Sequence, residues 1–263
     1  MDIARLLKDW PLGEGSNVRR IVGEDGSEKI QIRVCIDSFN GILQFECDGR
    51  PDGEKPQGES FYFDYLEKKL SQHLHGGNIA KDFRVTHTQC ERLFDESGQV
   101  YHRYVILLQL GDFERVMRDT DRNMRLFRFV NTYAVRQADR EHLECWWPYI
   151  LRIHFTAKAM EELRTGSIEK AMEAVQTCSQ RLDELAPQEN ETFQHEMKRS
   201  REALEELDGE LRKRKPLSEI EKLQRALQRA VEDERYEDAA RLRDKIARFQ
   251  TKKFPAGGDD DDA

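Results

Sequence analysis

Residues 217–250 read LSEIEKLQRALQRAVEDERYEDAARLRDKIARFQ, and their spacing predicts two short helices folded back on one another. Ile220, Leu223, Leu227 and Ala230 recur at intervals of three and four, which lays them along one stripe of a helix whose opposite face is charged. Beyond the short join Asp233-Glu234-Arg235, the residues Tyr236, Ala239, Ala240, Arg243 and Ile246 share a second face, widened by Leu242 and Phe249. Ser218 followed by Glu221 is a capping-box pattern, and Pro216 halts whatever helix precedes it. Two amphipathic helices with so short a join pack as an antiparallel hairpin. A unit of about thirty residues cannot offset its conformational entropy by burial alone. The hairpin therefore needs a partner: the rest of the chain, a second copy, or another protein.

The segment leading into it, 188–216, places Phe193, Met197, Leu204, Leu207 and Leu211 in a seven-residue rhythm with Ser200 filling one site. This is the pattern of one strand of a short coiled coil, weakened by Gly209. It ends in Arg212, Lys213, Arg214 and Lys215. Such a run suits a phosphate or an acidic partner, but it suits better the C-terminus of a helix that begins acidic, where cations favour the dipole. After the hairpin, residues 251–263 read as a disordered acidic tail.

Toward the N-terminus the pattern changes. VRRIVGEDGSEKIQIRVCI alternates around Asp25-Gly26, and SFNGILQFECDG continues it with a second turn expected at Asn40-Gly41. A small antiparallel sheet of three or four strands is expected within a β-rich part, 1–58. The glycines and prolines of CDGRPDGEKPQG then make a loop. Within it Asp48, Arg50 and Asp52 stand close enough to clamp a ligand or to pair with one another.

From 59 to 187 the chain reads as a helical body. FYFDYLEKKLSQHL is an aromatic-rich helix closed by Gly76-Gly77, and the group Trp146, Trp147, Tyr149, Ile150, Ile153 and Phe155 is expected in the core, with Pro148 in the first turn of its helix. Three passages share a turn grammar: LGDFERVM from 110, TGSIEKAM from 165 and ERYEDAA from 234. Their unequal spacing argues for helical hairpins and against a true repeat array. The fold class expected is α+β: a small N-terminal antiparallel sheet, a mainly helical body, and the C-terminal hairpin.

Composition narrows the function. A formal net charge of -8 over 263 residues argues against a protein that coats nucleic acid. No stretch is apolar enough to span a membrane, and MDIARLLKDWPLG lacks the features of a signal peptide, so a cytoplasmic location is expected. The five cysteines, Cys35, Cys47, Cys90, Cys145 and Cys178, are scattered without a C-x-x-C pair, which suits reduced thiols and makes a zinc site unexpected. His73 and His75 read as a solvated helix end, with no metal or other cofactor expected. No phosphate-loop, nucleophile-elbow or H-E-x-x-H pattern occurs. A non-enzymatic protein is expected.

The run IEKLQRALQRAVEDERYEDAARLRDKI resembles the UVR motif shared by the excision-repair proteins UvrB and UvrC, by Clp-type ATPases and by the adaptor McsA. Leu223, Ala230, Tyr236, Glu237, Ala239, Ala240, Arg243, Asp244 and Ile246 carry the resemblance. It implies a helical hairpin that docks onto a protein partner, with Tyr236, Ala239, Ala240, Arg243 and Ile246 as the docking face. The helicase, nuclease and ATPase segments of those proteins do not accompany it, nor do the paired cysteines of McsA. The remainder resembles uncharacterised bacterial proteins that carry the motif. The expectation is a cytoplasmic adaptor that binds a partner or itself through this hairpin at 217–250. The alternatives are a DNA-repair accessory touching nucleic acid through Arg212–Lys215, and a small-molecule binder using the Asp48, Arg50 and Asp52 loop.

Overall fold

The computed structural model describes residues 3–11, 16–37, 39–215 and 219–253. The chain divides into two compact units, residues 1–211 and 212–263.

The first unit begins with a single turn of helix, α1 (Ala4–Lys8), followed by a three-stranded antiparallel sheet in the order β1 (Val18–Val22), β2 (Glu28–Ile36), β3 (Phe39–Glu46). The first turn falls where it was expected, with Gly26 in the left-handed region at φ 78°. The second does not. The β2–β3 connection starts at Asp37, φ 53°, while Asn40 and Gly41 lie inside β3, opposite Cys35 and Val34. The observed register sets Lys29 opposite Glu46, joined as an ion pair, and Gln31 opposite Gln44, hydrogen-bonded at 2.9 Å. A turn at Asn40-Gly41 would forfeit both pairs, and cross-strand pairs of this kind outweigh a local turn preference.

One face of the sheet is buried. Val18 and Ile30 pack with Cys47 against Val100, Tyr104 and Leu107 of α3 (His87–Gln109), Val116 of α4 (Phe113–Tyr133), and Ile153 and Ala157 of α6 (Trp147–Arg164). The β-rich part thus shares a core with the helices. A larger core gathers Phe63 and Leu66 of α2 (Tyr62–His75), Leu93 of α3, Leu126 and Phe127 of α4, Ile150 and Phe155 of α6, and Val175 and Leu182 of α7 (Ile168–Asp183). The short α5 (Gln137–Glu141) bridges α4 and α6. Of the aromatic group expected inside, Trp147 is buried, whereas Trp146 is 41% exposed. Trp146 closes a turn of 3-10 helix just before α6, so it stands one residue outside the helix's buried face.

The coiled-coil rhythm of 188–216 has another explanation. In α8 (Glu191–Arg214) Leu204 and Leu211 belong to the body core. Ser200 donates to the Pro148 carbonyl at 3.0 Å and accepts from Arg152 Nε at 3.1 Å. Arg152 also pairs with Glu196 at 3.2 Å. Through Leu211 this segment is part of the body, and its apolar seam faces the chain's own helices.

The second unit holds the hairpin of α9 (Glu219–Glu232) and α10 (Tyr236–Lys253). The expected capping box at Ser218 and Glu221, the stop at Pro216 and the acidic end of the tail lie outside the described residues and side chains.

The three related passages all connect antiparallel helices through one hydrogen-bond pattern. Asp112 N–H donates to the Leu107 carbonyl at 2.9 Å, Ser167 to Glu162 at 2.8 Å and Arg235 to Ala230 at 2.7 Å. This six-to-one bond closes a Schellman motif, which needs a residue with positive φ. Gly111 and Gly166 supply it in the first two turns, and Glu234, φ 58°, in the third.

Candidate functional site

The seam of the C-terminal hairpin consists of small and aliphatic side chains. Leu223, Ala230 and Ala239 are buried, and Ile220, Leu227, Leu242 and Ile246 are half-buried beside them. Ala239 is 8% exposed, and a small side chain there takes little room between the packed helices. The five residues expected to share one docking face therefore separate. Ala239 and Ile246 turn into the seam, while Tyr236, 68% exposed, stands outside it with Ala240 and Arg243. At 100° per residue Tyr236, Ala240 and Arg243 fall on one stripe of α10, beside the inward one. The Arg243 guanidinium hydrogen-bonds the neighbouring Asp244 at 2.9 and 3.0 Å.

Along the seam lies a groove of about 680 Å³, its floor formed by Ala226, Ala230 and Leu242 and its rim by Lys222, Arg225, Arg229, Arg235 and Arg241, with Asp238 as its carboxylate. Lys222 pairs with Glu219 at 2.8 Å, and Arg235 with Asp233 and Asp238 at 3.0 and 3.2 Å. Among the described residues Arg225, Arg229 and Arg241 make no ion pair. Three guanidinium groups without an ion pair among the described residues, set along one groove, create a positive potential that favours an acidic surface. The apolar stripe is the stronger periodic signal in this segment and masks these cations. The signal was nevertheless present, since 222, 225 and 229 are three and four apart and place three cations on one face of α9.

The basic run lies where α8 ends: Arg212, Lys213 and Arg214 occupy its last turn, Lys215 follows, and all four are exposed. Cations there complement the negative end of the helix dipole.

Asp48, Arg50 and Asp52 do not share one space: Asp48 lines a hollow of about 450 Å³ with Asp112, Glu114, Arg115 and Arg118, and neither Arg50 nor Asp52 is among its lining residues. Asp48 is drawn to α4, where it accepts from Arg115 at 2.9 and 3.2 Å and from Arg118. The Arg115 hydrogen bonds, aided by Arg118, hold its carboxyl below the ordinary value against the opposing effect of burial. Arg50 pairs with Asp52 at 3.0 Å and reaches the buried Glu96 at 3.7 Å. Backbone carbonyls fix the same loop: Cys47 accepts from Arg118 at 2.8 Å, and Glu46 and Gly49 accept from the buried Arg103. The loop is a clasp that fastens the end of β3 to α3 and α4.

Glu96 itself is a structural anchor. It accepts from the Tyr62 and Phe63 N–H groups at 2.7 and 3.1 Å, capping α2, and pairs with the buried Arg122. Among the described residues the Nε of Arg122 has no hydrogen-bond acceptor, and its guanidinium carbon lies 3.9 Å from the centre of the Phe61 ring, where cation–π attraction compensates. His73 Nε2 lies 3.1 Å from the Ile79 carbonyl and His75 Nδ1 2.7 Å from that of Ser71, so the two rings engage different partners. Among the described residues no group of three or more His, Cys, Asp or Glu side chains could hold a metal ion. None of the helices among them is long and apolar enough to cross a membrane.

The architecture is thus an α+β body, a three-stranded antiparallel sheet packed on helices, with a separate basic-grooved helical hairpin at its C-terminus. That hairpin is a recognised one: residues 218–252 match the UvrB/uvrC motif, found in protein-interaction and DNA-repair proteins. No curated protein and no solved structure matches the chain.

Proposed function

We propose that this chain is a non-enzymatic cytoplasmic adaptor that recruits a protein partner, or a second copy of itself, through the α9–α10 hairpin. The observation that carries the reading is the coincidence of the UvrB/uvrC motif with the groove lined by Arg225, Arg229 and Arg241. The seam buries Leu223, Ala230 and Ala239 within the hairpin, which leaves its outer surfaces as the places to bind. Here these are the cationic groove on one side and the stripe of Tyr236, Ala240 and Arg243 on the other. The groove favours an acidic helical partner, and the exposed Tyr236 supplies the kind of aromatic anchor that concentrates binding energy. Thiols distributed singly, four of the five buried, suit the reducing cytoplasm.

The test is affinity capture from a lysate of the native cell, followed by mass spectrometry, with three baits: the full chain, a chain ending at Lys215, and Arg225→Glu/Arg229→Glu/Arg241→Glu. The adaptor reading expects a partner retained by the first and lost from the other two. Identical captures by all three would refute it.

A second reading, contact with nucleic acid as a repair accessory, gains support because the groove adds cations to Arg212, Lys213, Arg214 and Lys215. It expects binding to duplex or single-stranded DNA that falls steeply with salt and is lost when those four become Gln. The acidic balance of the whole chain favours the protein partner.

A further inference from the structure

The body carries a second concave surface that neither the hairpin nor the loop clasp explains. A cleft of about 360 Å³ opens among α3, α4, α6 and α8, with aromatic rings for walls. Phe94 and His142 are stacked there, centroids 4.1 Å and planes 26° apart. Tyr149 lies 5.8 Å from Tyr101 and 6.4 Å from Trp146. Tyr101 and Trp146 are 39% and 41% exposed, although every other tryptophan in the chain is buried. Large aromatics left half in water around one cavity mark a binding surface more often than a packing fault.

Gly98 points the same way. It sits in the interior of α3, where glycine costs about 1 kcal/mol relative to alanine. A Cβ at this position would meet no atom within 4 Å, so no neighbour in the chain requires its absence. Gly98 lines the cleft, and the missing side chain keeps that space open.

Charge decides between ligand classes. Glu196, the one carboxylate among the described lining residues, is held by Arg152 at 3.2 Å with Arg199 at 4.0 Å, so no uncommitted negative charge faces the cleft to favour a cation. Two guanidinium groups against one carboxylate leave a positive balance, and Arg199 stands exposed among the lining residues. A cavity at the small end of the range for ligand sites, about 300–1,000 Å³, suits a ligand of one or two fused rings.

We propose that this cleft binds a planar aromatic small molecule bearing an anionic group, its ring held among Tyr101, Trp146 and Tyr149 and its anion paired with Arg199. The proposal stands independently of the hairpin.

The experiment titrates the full chain with naphthalene-2-sulfonate, following tryptophan fluorescence and saturation-transfer NMR, alongside cyclohexanesulfonate and 2-naphthylmethylamine as controls for aromaticity and charge. Saturable binding of the aromatic sulfonate is expected, about tenfold tighter than the amine, the scale of one charge-assisted contact. Cyclohexanesulfonate should not saturate. Gly98→Leu fills the cleft and should abolish the signal. Arg199→Ala, a change on an exposed side chain that spares the fold, should make the sulfonate and the amine equal. Saturation by cyclohexanesulfonate, preference for the amine, unchanged binding in Arg199→Ala, or no saturable binding of the sulfonate at all would overturn the proposal.

Discussion

The Arg103 guanidinium on α3 grips the Asp119 carboxylate on α4 with two hydrogen bonds, Nε to Oδ2 at 2.6 Å and Nη2 to Oδ1 at 2.8 Å, and both side chains are at most 1% exposed. Because the same guanidinium donates to the Glu46 and Gly49 carbonyls, one buried pair fastens two helices and the end of the sheet together.

Asp119→Ala should therefore leave a buried cation uncompensated and cost about 3–5 kcal/mol. A urea unfolding curve reads this as a lowered midpoint with an unchanged slope. Replacing both partners by Leu should recover only part of the loss, since the two loop carbonyls would still lack their donor. Full recovery in the double variant would show that the clasp contributes nothing.

His154 supplies a pH dependence. Burial is the main cause lowering its basicity below the ordinary value; Lys158 acts in the same direction, and Asp121 opposes both. Its Nδ1 lies 2.9 Å from the Thr120 hydroxyl. A histidine whose pKa is lower folded than unfolded binds its proton first in the unfolded chain. Its contribution to stability is then full above the unfolded value, about 6.5, and declines as pH falls through it toward the folded value. Unfolding midpoints at neutral and mildly acidic pH should diverge more in the parent than in His154→Gln, and equal divergence would remove the assignment.

The turn at Glu234 is the weakest of the three Schellman closures, because a residue with a Cβ occupies the position that Gly111 and Gly166 fill elsewhere. Glu234→Gly should stabilise the hairpin by up to about 1 kcal/mol. Gly166→Ala should destabilise the body by a similar amount. Hydrogen exchange of the α9 and α10 amides reads the first change, and thermal unfolding the second.

Two alanines, adjacent in α10, should respond in opposite ways to the same substitution. Ala239 is buried in the seam, so Ala239→Glu should melt the hairpin and speed amide exchange throughout α9 and α10. Ala240 is exposed, so Ala240→Glu should leave exchange unchanged. Only the second substitution can report on a partner without first destroying the hairpin.

These contrasts indicate how much a linear reading could reach. The helical periodicity of Leu223, Leu227 and Ala230 and the turn signals at Asp25-Gly26 and Gly76-Gly77 are local, and the structure keeps them. The β2–β3 register was missed because it depends on Lys29 meeting Glu46, a pair that no local window contains. The seven-residue rhythm of α8 was legible, but its destination was not, since periodicity gives a face and never names what covers it. Sequence proximity groups Asp48, Arg50 and Asp52 but hides Arg115, Arg118 and Glu96, the ion-pair partners that α3 and α4 bring to Asp48 and Arg50. At the hairpin the motif was legible, and the sorting of inward Ala239 from outward Tyr236 required the opposing helix.

The most direct test of the central claim compares affinity captures by the full chain, by Ala240→Glu and by Arg225→Glu/Arg229→Glu/Arg241→Glu, after hydrogen exchange has shown the hairpin intact in all three. The account predicts that a partner held by the parent is lost from the groove variant and weakened in Ala240→Glu. The same partner recovered equally by all three would mean that neither outer surface of the hairpin docks anything, and would contradict it.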